Sequence, residues 1–78
     1  MSLVKKYENI EEMRSEEETI LFHLNNQKKI GFKCDRRTFA DALQRLKSRI
    51  GVIKIGDDKE NRVDLNQVTR IEVNGKPY

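Results

Sequence analysis

The stretch TILFHLNNQKKIGFKC, residues 19–34, decides the fold. Ile20, Phe22 and Leu24 alternate with Leu21 and His23, the period of two that a strand imposes on its side chains. After Asn25-Asn26 the alternation resumes, with Ile30, Phe32 and Cys34 set against Lys29, Gly31 and Lys33. Asparagine tolerates positive φ, so the Asn-Asn pair reads as a tight turn. The stretch is therefore a hairpin with one apolar and one basic face.

Working outward, the next segment changes period. Phe39, Ala42, Leu43, Leu46 and Ile50 fall at i, i+3, i+4, i+7 and i+11, one face of a helix. Asp35 or Thr38 can cap its start, and Thr38 with Asp41 resembles a capping box. Arg45, Lys47 and Arg49 lie where the helix dipole favours cations. Gly51 stands as the left-handed terminator. Val52–Ile55, Val63–Leu65 and Ile71–Val73 alternate again, with a polar loop at 56–61 and a turn at Asn74-Gly75.

Upstream of the hairpin, Val4, Tyr7, Ile10 and Met13 stand three apart, a loose helical stripe within an acidic leader. Residues 1–17 thus read as an acidic arm or short helix, and 18–78 as a single domain. The expected fold is α+β, one helix packed on an antiparallel sheet in the order (α)ββαβββ, the economical two-layer arrangement.

Totals narrow the function classes. Seventy-eight residues make one domain, and a chain of this size buries only about 60–65% of its unfolded surface. Charged residues, at 37%, slightly exceed apolar ones at 36%. The net charge of +3 splits into −3 over residues 1–26 and +6 over 27–78. An acidic leader before a basic body points to charged partners, or to self-complementarity. A single cysteine, no signal peptide and no apolar run of membrane-spanning length read as a cytoplasmic protein without a membrane partner.

Candidate chemistry is sparse. Cys34 and His23 fall on opposite sheet faces by alternation, so they do not make a nucleophile–base pair; Cys34 reads as a small core residue. Asp57, Asp58, Glu60 and Asp64 crowd one loop, but Lys59 occupies a position where a calcium loop needs oxygen. The four glycines form no phosphate-cradling pattern. No enzyme, cofactor or metal site is expected.

What remains is surface. Lys29, Lys33 and Lys54 are expected to share the outward sheet face with Leu21 and His23, joined by Arg62 and Arg70 if the last strands pair. These seven residues are the candidate interaction face. Such a face can grip phosphates, but Phe22, Phe32 and Phe39 point inward and leave no stacking platform for bases. Lysine-rich faces also keep sheets soluble. With one helix, the other sheet face needs a cover, either the leader or a second subunit. In size and composition the chain resembles small accessory proteins of bacteria and bacteriophages. The expected function is a non-enzymatic protein–protein module with a protein partner or a second copy of itself; the alternative is a nucleic-acid binder gripping the phosphate backbone.

Overall fold

The fold is that of a computed structural model, which describes residues 4–9, 11, 13, 17–48 and 50–78. The elements are β1 (Val4–Tyr7), β2 (Thr19–Leu24), β3 (Lys29–Cys34), α1 (Arg36–Leu46), β4 (Val52–Lys54), β5 (Arg62–Asp64), β6 (Val68–Val73) and β7 (Lys76–Pro77). Five strands form one sheet in the order β1-β3-β2-β6-β7, and β4 with β5 forms a separate two-stranded ribbon. Every neighbouring pair is antiparallel. The α+β class with one helix and an antiparallel sheet stands; the element order differs from expectation at both ends.

The hairpin of residues 19–34 forms the middle of the sheet, with Ile20 opposite Phe32 and Phe22 opposite Ile30. Its turn differs from the expected one. Leu24 N–H donates to the Lys28 carbonyl at 2.8 Å and Gln27 N–H to the Leu24 carbonyl at 3.1 Å. This makes a three-residue loop, and the left-handed position falls on Gln27 at φ 69° rather than on an asparagine. Asn26 serves through its side chain, whose Oδ1 accepts from Lys28 N–H at 3.1 Å. The Asn74-Gly75 turn is as expected: both residues have positive φ and join β6 to β7.

The helix begins where Asp35 Oδ2 accepts from Thr38 N–H at 3.3 Å. Asp41 and Arg45 pair at 2.9 Å one turn apart. Thr38, Ala42 and Leu46 are buried, with Phe39 and Leu43 half-buried beside them. The apolar stripe stops at Leu46. Ile50 lies beyond the helix and is 71% exposed, so it is not the last core residue of that face. Gly51, at φ 80°, does not end the helix; it leads into β4, and its carbonyl accepts from Leu65 N–H at 2.8 Å.

An 11-residue helix is about 16 Å long. A five-stranded sheet is about 19 Å wide between its outer strands, so one helix leaves part of that face bare. The ribbon completes the cover. Ile53 and Ile55, with Val63 and Leu65, join Ile20, Phe22, Phe32, Cys34, Ala42 and Leu46 in one core. Phe22 and Phe32 meet edge to face with ring centroids 5.9 Å apart, the geometry the ring quadrupoles favour.

The N-terminal segment is the main correction. The stripe at Val4 and Tyr7 is not helical: Val4–Tyr7 is an edge strand paired with β3, Val4 opposite Cys34 and Tyr7 opposite Gly31. Spacing of three is also what a strand flanked by lysines produces when only its two ends are apolar. Ile10 lies outside the described residues. Since β1 and β2 both run antiparallel to β3, they are parallel to each other with β3 between them. The connection 8–18 must therefore cross β3. Its Met13 is 7% exposed yet lies outside the core cluster. Leu21, whose side chain alternates away from that core, is also 7% exposed, and its cross-strand neighbour Gly31 is buried. Met13 and Leu21 are thus both buried outside the core cluster.

Candidate functional site

Register fixes which candidates share a surface. Away from the core, Lys29 on β3, His23 on β2 and Arg70 on β6 stand side by side across three strands. One row further, Tyr7, Gly31, Leu21, Glu72 and Pro77 line up across all five strands. Beyond them, Lys5, Lys33 and Thr19 form a third row. Five of the seven candidates therefore lie on this face: Leu21, His23, Lys29, Lys33 and Arg70. Leu21 is buried there rather than offered to solvent.

Lys54 and Arg62 are elsewhere. They face each other on the ribbon, Lys54 on β4 directly opposite Arg62 on β5, and do not join the five-stranded sheet. Alternation along Val52-Ile53-Lys54-Ile55 does place Lys54 away from the core. Alternation carries no information about which sheet a short strand enters, and the ribbon is a separate piece.

The outer face is not a simple cationic surface. His23 Nε2 and Glu72 Oε2 lie 2.5 Å apart, both largely shielded, and Arg70 Nη2 is 3.9 Å from the other Glu72 oxygen. The hydrogen bond from His23 holds the Glu72 carboxyl below its usual range against the opposing effect of burial; the charges of His23, Arg70 and Lys29 pull the same way as the hydrogen bond. Glu72 belongs to the site and was not among the candidates. Its signal was its place two residues after Arg70, which is the same face of a strand, but only the β2–β6 register brings it to His23. Lys5 was missed because its segment reads as a helix; its Nζ sits 5.0 Å from the centre of the Tyr7 ring.

The His23–Glu72 pair makes a pH prediction. A carboxyl whose folded pKa is depressed adds stability at pH values above its unfolded pKa, and that stability is lost as pH falls through the folded value. The Glu72 carboxyl is expected to titrate below 4.5 in an NMR pH series. In His23→Leu the midpoint is expected to move up towards 4.5, and the acid side of the stability profile to shift up with it. An unmoved midpoint would show that His23 is not what holds the carboxyl down.

Cys34 is a core residue. Burial pushes its thiol up to about 11, helped by the negative charges of Asp35 and Glu18, so the nucleophilic thiolate is scarce at neutral pH. In the polar loop, Asp58 Oδ1 accepts from Glu60 N–H at 2.9 Å and Asp64 Oδ1 from Asn66 N–H at 3.0 Å. These carboxylates cap two short 3-10 turns, Lys59–Asn61 and Leu65–Gln67. No described helix is long and apolar enough to cross a membrane.

The ribbon presents a different surface. Val52 is 59% exposed, next to the 71% exposed Ile50. Lys54 and Arg62 follow on the same outward side, and neither has an acidic partner among the described residues. Arg45 braces this ribbon from the helix, its Nη1 donating to the Lys54 carbonyl at 2.6 Å. Comparison with family models, curated proteins and solved structures finds no match, so both faces are read from their own geometry.

Proposed function

We propose that this chain is a small non-enzymatic docking module that associates with protein surfaces, a second copy of itself included. The observation that carries this reading is the exposed aliphatic pair Val52, at the start of the ribbon, and Ile50, in the connection just before it. They are the two most exposed large aliphatic side chains described. In a chain where charged residues outnumber apolar ones, both remain outside the core that the fold needs. Exposed aliphatics two residues apart and bordered by charge are what a small interaction patch presents.

A second reading, phosphate binding, has the Lys29–His23–Arg70 row in its favour. Glu72 weighs against it, because a carboxylate already occupies the centre of those charges. Separation of Lys54 and Arg62 from Lys29 and Lys33 also splits the cations that would have to track one backbone.

Light scattering over a concentration series tests the first reading. The expected result is a mass that rises with concentration above the 9.2 kDa of one chain. A constant monomer at high concentration removes self-association. Gel shifts on DNA and RNA across a salt series test the second; retardation that falls steeply with salt and is lost in the Lys29→Glu, Arg70→Glu double variant would establish it.

A further inference from the structure

We propose that the outward face of the ribbon binds an acidic, aliphatic segment of a partner protein in extended form, one carboxylate of the segment bridging Lys54 and Arg62. This rests on the docking reading and names the partner. Leu65 N–H donates to the Gly51 carbonyl at 2.8 Å and Ile55 N–H to the Asn61 carbonyl at 2.9 Å. Hydrogen-bonded pairs alternate along an antiparallel ribbon, so Ile53 and Val63 are the next such pair, and Lys54 and Arg62 are a non-hydrogen-bonded one. Partners of that kind bring their Cα atoms to about 4.5 Å, the closer of the two spacings. Like charges so placed are unfavourable, and among the described residues no acid pairs with either. A single carboxylate between them relieves both.

Both positions are held. Arg45 Nη1 donates to the Lys54 carbonyl at 2.6 Å, and Arg62 Nε donates to the Lys59 carbonyl at 3.0 Å. Asp64, which faces Val52 across the ribbon, directs its Oδ1 to Asn66 N–H at 3.0 Å. No acid occurs between Asp41 and Asp57, the stretch that holds both exposed aliphatics. Val52 and Lys54 project from one side of β4, two residues and about 7 Å apart. An extended segment has the same repeat. An aliphatic side chain two residues from its carboxylate therefore reaches Val52 while the carboxylate lies between the two cations. Exposed Ile50 lengthens the apolar end. A phosphate backbone would offer nothing to these aliphatics, and the patch has none of the aromatic side chains that anchor proteins at lipid surfaces.

NMR titration of the intact chain tests this. The probe is a short capped peptide in which serine alternates with leucine and glutamate in turn. Amide shifts are expected at Val52, Lys54 and Arg62, and affinity is expected to fall between about 50 mM and about 500 mM salt. Two variants are compared, Lys54→Glu with Arg62→Glu, and Ile50→Ser with Val52→Ser. All four side chains are exposed, so melting curves matching wild type are expected. Each variant should bind the peptide at least about tenfold more weakly. The charge-reversed variant should instead bind a peptide with lysine in place of glutamate, which wild type does not. Equal binding by wild type and either variant, shifts confined to the five-stranded sheet, or equal affinity for a leucine-free peptide overturns the proposal. Binding to phosphatidylserine vesicles without binding to the peptide overturns it in favour of a lipid surface. No peptide binding with a mass that rises with concentration overturns it while leaving the docking reading standing; no peptide binding with a constant monomer removes both.

Discussion

Phe32→Ala is expected to destabilise the fold by about 3–5 kcal/mol, the usual result of truncating a fully buried phenylalanine. Phe32 has no exposed surface, and it sits on β3 between two paired neighbours with the Phe22 ring against it. Removing the ring leaves a cavity bounded on the sheet side by strands that hydrogen bonding holds in place. Collapse of helix and ribbon into the gap is restricted because both are already packed on the same core. A domain of this size has about 4–12 kcal/mol in total. The substitution should therefore consume a large part of it, read as a fall in the denaturant midpoint with the slope unchanged. A loss below about 1 kcal/mol would mean that the core repacks freely and that the ring pair is not central. Phe22→Ala should behave alike, since it lies on the other side of the same contact.

Deleting residues 1–17 is expected to be the second large loss, about 4 kcal/mol or more from Met13 burial and the β1 ladder together. The deletion removes the strand paired along β3 and the half-buried Val4 that packs on the core. It also takes away Met13, which is buried outside the core cluster. The truncated chain would carry β3 as an open edge, a feature that promotes aggregation. Met13→Ala separates the two contributions: it keeps β1 and tests only the burial of Met13. An unchanged melting curve after the full deletion would reject the stabilising role given to β1 and Met13.

The contrast between these regions explains what could be read in advance. Period-two alternation over residues 19–34 is repeated on both sides of a turn, so Phe22 and Phe32 could be assigned to the core without knowing the sheet. Helical spacing from Phe39 to Leu46 was equally legible, because four apolar positions agree on one face. Val4 and Tyr7 are only two positions, and their spacing of three fits a weak helix as well as a short strand with lysines between. Its strand conformation comes from pairing along β3, a partner more than twenty residues away in the chain. Lys54 shows the same limit on the site. Its outward direction was readable, but its separation from Lys29 and Lys33 was not, because three-residue strands contain no record of which partner they choose.

By itself, then, the sequence determined the hairpin, the helix, the Asn74-Gly75 turn and the division into an acidic leader and a basic body. Each is a local matter of side-chain period, backbone preference or charge count. Tertiary structure decided the rest: that β1 pairs along the edge of β3, that Met13 is buried outside the core cluster, that Glu72 meets His23, and that Lys54 and Arg62 oppose each other on a separate ribbon. All of these depend on register between segments distant in the chain. Register is set by how five strands, one helix and one ribbon share a small core, and no local pattern encodes that.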